Sequence, residues 1–375
     1  MWINRIYESA PLSFIKGKVN LLYGARRVGK TVLIQKVMKI QEGRKFIGNG
    51  DDIQLRSILG SEDKNRILTA FQDYDVIFID EAQRISNIGW GLKILIDNLP
   101  NVLIIATGSS SFQLSSNVGE PLTGRSNTKM LFPIAITELK SQFGGMDIIQ
   151  NLENYLIYGM YPEVLCVGNA QDKANYLHEL KNSYLFKDIL ELENIRNADK
   201  LYDLLRLIAF QIGNEVSLSE LGNALNLSKQ TIGRYLDLLE KAFIIKKIGG
   251  YSSNLRKEIT KTNRYYFYDI GIRNALINNF NSIEFRNDIG MLWENFMVME
   301  RIKSQSYNKV FCNYYFWRTY DKKEVDLVEE RNGKLYGFEF KWSPKKIKIQ
   351  KEWLKTYSNA SFEVIHKDNF LEFIT

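Results

Sequence analysis

The sequence predicts an α/β protein in three segments: a parallel-sheet core, a helical middle with a winged helix-turn-helix pattern, and a smaller α/β domain at the end. Three observations predict it. A short apolar run, Val19-Asn20-Leu21-Leu22-Tyr23, leads straight into a glycine loop and then an amphipathic stretch. A second apolar run, Val76-Ile77-Phe78-Ile79, ends in the acids Asp80 and Glu81, the form of a central parallel strand. Residues 311–340 alternate and are rich in aromatics, which reads as successive strands.

The glycine loop is Gly24-Ala25-Arg26-Arg27-Val28-Gly29-Lys30-Thr31. Its spacing is G-x-x-x-x-G-K-[ST]. Glycines allow backbone turns that a Cβ resists. The loop N–H groups then face inward and cradle phosphate oxygens, and the following helix N-terminus adds positive potential. Lys30 reaches the terminal phosphates and the Thr31 hydroxyl holds Mg²⁺. The alternative, a glycine turn with a stray lysine, does not explain the strand before it or the helix after it. The spacing therefore predicts a nucleotide site for ATP and Mg²⁺.

Residues 31–42 place apolar side chains at helical spacing, with Gly43 to close the helix. Phe46-Ile47 begins a short strand, and helical patterns fill 52–72. Ligands of parallel sheets bind at the carboxyl ends of strands. Asp80 is placed there to hold Mg²⁺, and Glu81 to orient the attacking water. A third buried run, Val102 to Ala106, ends in Thr107-Gly108-Ser109. Thr107 or Ser109 is positioned for the γ-phosphate or the water; a plain Gly-Ser turn is the competing reading. Arg125, after Gly124, is either an arginine finger, in cis or toward a neighbouring subunit, or a surface ion pair. Arg26, Arg27 and Arg84 are lesser candidates for that role.

These four motifs together resemble a widespread group of prokaryotic AAA-type ATPases, similar to the archaeal-type ATPases, that carry a C-terminal domain of unknown function. The resemblance implies that the strand of Asp80 lies one removed from the loop strand. AAA-type sites often borrow an arginine from a neighbour, so a homo-oligomer is a further expectation.

Domain boundaries are expected near 140 and 280, giving segments 1–140, 141–280 and 281–375. Gly144-Gly145 and Tyr158-Gly159-Met160-Tyr161-Pro162 punctuate the change, and the second resembles a Gly-x-x-Pro element of the same group. Helical patterns follow over 172–193 and 199–212. Ser217-Leu218-Ser219-Glu220 has capping-box spacing. A short helix, a turn with Ser228 as N-cap and a second helix from Lys229 follow, with a β-wing expected before Tyr268. Lys229, Gln230, Thr231 and Arg234 line the start and exposed face of that second helix. DNA contact and docking on the ATPase are equally open readings of it.

In the last segment, 289–304 reads as a helix carrying Glu294. Three strands follow, the last two joined by Asn332-Gly333, a hairpin signal. Glu339 and Lys341 are two apart on a strand and share a face. Asp326 on the neighbouring strand can join them. Asp326, Glu339 and the carbonyl of Phe340 form an oxygen set suited to Mg²⁺, with Lys341 beside a water. This order resembles the PD-(D/E)XK nuclease core, a restriction-endonuclease-like fold, although Val325 stands where the pattern has proline. An ordinary polar sheet face, or a nuclease core that only binds partners, are the alternatives. Beyond it, residues 341–355 hold six lysines against one acid, Glu352, with Trp342, Trp353 and Tyr357 nearby. That suits a nucleic-acid backbone. A solvated helix face with core aromatics is the commoner outcome.

Composition narrows the classes. The 375 residues are 45% hydrophobic and 25% charged, with a net charge of +7; this permits a nucleic-acid partner without requiring one. Two cysteines and two histidines argue against a disulfide framework and against histidine-based zinc or triad chemistry. No apolar run approaches a membrane span, and the first residues do not begin a signal peptide. The expected location is cytoplasmic.

Overall fold

The computed structural model describes residues 3–8, 14–109, 121–184, 198–252, 262–319, 321, 323–343 and 351–375. They divide into two compact units: Trp2–Pro133 with Lys241–Phe243, and Ile134–Glu240 with Ile244–Thr375.

The first unit is built on five strands, β1 (Val19–Tyr23), β2 (Lys45–Asn49), β3 (Val76–Asp80), β4 (Leu103–Gly108) and β5 (Ser126–Met130). Their order is β2-β3-β4-β1-β5, and every pair is parallel. The strand of Asp80 is therefore one removed from the loop strand, as the resemblance implies. All residues of β1, β3 and β4 are buried, which is why these strands are continuous apolar runs and not alternating ones. Helix Lys30–Ile40 buries Leu33, Ile34, Val37 and Met38, one face at helical spacing. The stretch 52–72 is two helices, each begun by an aspartate. Asp52 accepts from the N–H of Gln54 at 2.7 Å, and Asp63 from that of Asn65 at 2.9 Å. Register aligns the working ends. Tyr23 pairs with Gly108, and Ile79 with Ala106. The loop after Tyr23, Asp80 and Thr107 thus share the sheet's carboxyl edge.

The second unit holds a seven-stranded sheet. Its strands are β6 (Glu215–Val216), β7 (Ile245–Gly250), β8 (Asn263–Phe267), β9 (Asn313–Arg318), β10 (Glu324–Arg331), β11 (Lys334–Phe340) and β12 (Ala360–Ile365). The order is β12-β11-β10-β9-β7-β8-β6. One sheet thus takes strands from both sides of residue 280: β7 pairs with β9 in parallel, Gly249 opposite Tyr315. On one side Trp317, Val325, Val328, Leu335 and Trp353 form a core cluster. Helix Ile289–Tyr307 is another buried element. Trp293 packs against Trp342 and Phe370, and Asn295 exchanges hydrogen bonds with both backbone groups of Phe267 at 2.7 and 2.9 Å. That exchange fixes the helix against β8.

Helix Leu218–Leu225 begins at Ser217, whose hydroxyl accepts from the Glu220 N–H at 3.3 Å. Helix Lys229–Lys241 begins after Ser228, which accepts from the Thr231 N–H at 3.1 Å. β7 and β8 then pair antiparallel; residues 253–261 between them lie outside the described residues, as do 185–197. The hairpin turn falls at Asn332-Gly333, both with positive φ, 52° and 70°. β9 starts at Asn313, two residues later than the aromatic run suggests, and Phe311 is 92% exposed.

Candidate nucleotide site and acid cluster

Gly24 has φ +152°, and a Cβ there would stand 2.1 Å from the Leu131 carbonyl oxygen. Gly29 has φ +93°. Both glycines are required by the turn. Lys30 is buried, and its ammonium donates to the carbonyls of Gly24 and Ala25 at 2.8 and 2.9 Å. The carbonyl oxygens are thus held by the lysine, leaving the loop's N–H groups to form an anion nest.

Thr31 donates its hydroxyl to Asp80 Oδ2 at 2.6 Å. The other carboxylate oxygen accepts from the Thr107 hydroxyl and from the Glu81 N–H at 3.1 Å. Thr31 and Asp80 are hard oxygen donors side by side, the set Mg²⁺ takes, so these residues fit that ion. Glu81 has φ 48°, a left-handed turn that lifts its side chain off the strand end. Gln83 donates to the Glu81 carboxylate and, at 3.1 Å, to the Ser109 hydroxyl. The Gln83 carbonyl oxygen is itself buried without a hydrogen-bond partner.

The second unit gathers charge at the middle of its sheet. Arg264 on β8 is 4% exposed and stacks on Phe316 at 4.5 Å. Its guanidinium reaches Glu324 at 2.8 Å, Glu294 at 3.4 Å and Asp326 at 3.8 Å. Tyr266 donates its hydroxyl to Glu294 at 2.7 Å. Asp326 Oδ2 accepts from the Phe340 N–H at 2.9 Å. Leu327 lies opposite Phe338, so one step further Asp326 lies opposite Glu339. The Lys341 ammonium is 2.9 Å from Glu339 Oε1. Burial pushes Glu294 up to about 8, with the Asp326 charge adding to it. Burial likewise pushes Asp326 up to about 6, against its hydrogen bond from Phe340 and the charges of Arg264 and Lys341. For Lys341 burial acts downward, but the Glu339 bond and the nearby acids outweigh it and raise the group.

Three family models match the chain in succession. Residues 16–140 match an AAA domain. Residues 149–282 match a domain of unknown function, DUF8612, and residues 289–369 another, DUF4143. Among curated proteins, an uncharacterised protein of Methanocaldococcus jannaschii is 26% identical over 320 residues, covering 80% of this chain and 69% of its own. One of Mycobacterium tuberculosis is 26% identical over 330 residues, covering 87% and 70%. Among solved structures, a signal transduction ATPase with numerous domains from Pyrococcus horikoshii aligns over 82% of this chain and 48% of its own, at 13% identity and TM-score 0.33. The RuvB Holliday junction branch migration motor of Thermotoga maritima aligns over 64% and 85%, at 19% identity and TM-score 0.29.

Within the AAA domain Arg125 is misplaced for a finger in cis. Arg125 immediately precedes β5, and its carbonyl accepts from the Val19 N–H at 2.8 Å. It therefore sits at the amino edge of the sheet, roughly 16 Å from the nucleotide loop at about 3.3 Å per strand residue. Its guanidinium pairs with Asp97 at 2.6 Å, and both side chains are half exposed. A finger in cis is excluded by that distance. Arg84 lies 3.7 Å from Asp51. Thr107 is fully buried and its hydroxyl donates to Asp80, which orients that carboxylate.

Sequence reasoning missed Gln83 and Arg264. Gln83 stands two residues after Glu81, a signal available in the motif itself. Arg264 carries none, because only the joined sheet brings β8 near Glu294. Of the lysine run, Lys345, Lys346 and Lys348 lie outside the described residues. Trp353 is fully buried and its indole N–H donates to the Ser361 carbonyl at 2.9 Å; it is core, not a stacking platform. No helix among the described residues is long and apolar enough to cross a membrane.

Proposed function

We propose that the chain couples Mg-ATP hydrolysis in the AAA domain to nucleic-acid binding by the second unit. ATP phosphates occupy the nest of residues 24–31, with Lys30 neutralising the β- and γ-phosphates. Thr31 and Asp80 would hold Mg²⁺, which would neutralise charge on those phosphates. Glu81 orients the attacking water, Thr107 fixes Asp80, and Gln83 fixes Glu81. Arg125 is half exposed just before the edge strand β5, which supports a finger role toward a neighbouring copy.

The observation that carries the nucleic-acid half is the exposed row Lys229, Gln230 and Arg234 at the start of a helix that follows a tight turn. Together with the antiparallel β7–β8 pair that follows in the chain, this supports a winged-helix reading. Titrating labelled duplex DNA over a salt series tests it. Affinity falls steeply with salt, and Lys229→Ala with Arg234→Ala weakens it. Undetectable or salt-independent binding removes this half of the proposal.

Cleavage by Asp326, Glu339 and Lys341 is the second reading. The Glu339 Oε2 atom, buried without a hydrogen-bond partner, favours it. Arg264 lies 3.8 Å from Asp326 and Lys341 2.9 Å from Glu339, so a divalent cation there would compete with both cations for the acids. Among the described residues no three acidic, histidine or cysteine side chains gather as a metal cage. Incubating the protein with plasmid and oligonucleotides in Mg²⁺ or Mn²⁺, with and without ATP, separates the readings. No cutting leaves the second unit as a binding module.

A further inference from the structure

The segment before β1 is fastened to the back of the nucleotide loop. Arg5 is 4% exposed. Its guanidinium donates through Nη1 to the Val28 carbonyl at 2.5 Å and through Nη2 to the Phe132 carbonyl at 2.7 Å. The neighbours of Arg5 are pinned as well. The Tyr7 hydroxyl donates to the Met130 carbonyl at 3.2 Å, and Glu8 pairs with Lys36 of helix Lys30–Ile40 at 3.0 Å. The Glu8 N–H closes the turn onto the Arg5 carbonyl at 2.9 Å.

We infer that Arg5 is a positioning residue for ATP, acting through the loop and not on the nucleotide itself. The inference rests on the nucleotide reading of residues 24–31. A phosphate nest needs successive N–H groups on its inner side, which turns the peptide carbonyls outward, where each needs a donor. The structure gives those donors. Lys30 takes the carbonyls of Gly24 and Ala25. The Leu33 N–H takes that of Gly29 at 2.9 Å. Arg5 takes that of Val28. The Val28 carbonyl belongs to the same peptide as the Gly29 N–H, so holding the oxygen outward aims that N–H inward.

The second arm does different work. Phe132 follows Leu131, whose N–H donates to the Tyr23 carbonyl at 2.7 Å and whose own carbonyl abuts Gly24. Through its rigid fork Arg5 bolts the far end of the loop to the same strand end that its near end leans on. A planar guanidinium spans two carbonyls at fixed separation; an ammonium on a flexible stem does not. Arg5 also places a buried positive charge behind the phosphates. Loss of this clamp loosens the nest before ATP arrives, and binding then includes the cost of ordering it. Because bound ATP and the transition state use the same nest, the loss is expected in affinity more than in turnover.

The test is Mg-ATP titration calorimetry, steady-state hydrolysis and thermal melting on full-length wild type, Arg5→Lys and Arg5→Met. Arg5→Met is expected to bind ATP at least tenfold more weakly, with KM raised in step and kcat at saturation nearly unchanged. Arg5→Lys, which keeps the charge but not the fork, is expected to fall between. A folded Arg5→Met with wild-type ATP affinity overturns the inference, as does wild-type affinity in Arg5→Lys should the methionine variant fail to fold. Wild-type protein that binds no ATP counts against the nucleotide reading itself, a result distinct from equal binding by all three.

Discussion

The Thr31 hydroxyl stands 2.6 Å from the Asp80 carboxylate, joining the helix after β1 to the end of β3 across the intervening β4. The contact exists because three parallel strands end level. It sets a pair of hard oxygens beside the glycine loop of residues 24–31, the donor type that Mg²⁺ takes.

Thr107 holds the opposite oxygen of Asp80. Thr107→Val removes that donor without changing side-chain volume much. Groups that orient an ion's ligands are worth about 10–100-fold in metal affinity or activity. The expected result is a higher Mg²⁺ concentration for half-maximal hydrolysis, with the melting transition little changed. An unchanged Mg²⁺ midpoint assigns Thr107 to packing alone.

Arg125 serves a neighbouring copy if it serves catalysis at all. Arg125→Ala is expected to keep ATP affinity and to lose turnover on the order of a thousandfold. Mixing it with Glu81→Gln subunits then restores some hydrolysis, since each partner supplies what the other lacks. Full activity of Arg125→Ala identifies the residue as the partner of Asp97 only. An exposed pair of that kind contributes about 0–1 kcal/mol.

The burial of Glu294 predicts that the second unit is sensitive to pH. Its carboxyl sits near 4.5 when free and is pushed up to about 8 by burial. Between these values the folded state binds more protons than the unfolded one, so stability falls as pH rises through that window. Below about 4.5 the contribution is fully present, and above about 8 it is gone. Urea unfolding of wild type at pH 5, 7 and 9 is expected to show this decline. Glu294→Gln, which imitates the protonated acid and keeps the acceptor for Tyr266, is expected to flatten it. Equal slopes in both proteins contradict the assignment.

Much of this was legible in the sequence. Val19 to Thr31 and Val76 to Glu81 carry local signals, apolar runs ended by residues with one chemical use, and the sheet places them as expected. Ser217, Ser228 and Asn332-Gly333 likewise act through near neighbours. What stayed hidden depends on distant pairing. Arg125 looks like a finger in sequence because nothing local tells that it lies before β5, at the sheet's amino edge. Arg264 is invisible until β7 joins β9 and brings β8 beside the helix of Glu294. Arg5 reads as an unremarkable terminal residue until its fork meets Val28 and Phe132.

The central claim is that the site at 24–31, Asp80 and Glu81 hydrolyses ATP, and steady-state hydrolysis paired with ATP binding tests it most directly. Wild-type protein is expected to turn ATP over with Mg²⁺. Lys30→Ala is expected to lose tight binding. Glu81→Gln is expected to bind as wild type does and to hydrolyse at least about a hundredfold more slowly, the scale of a lost water-activating group. Wild-type turnover in Glu81→Gln, or wild-type binding in Lys30→Ala, contradicts the claim.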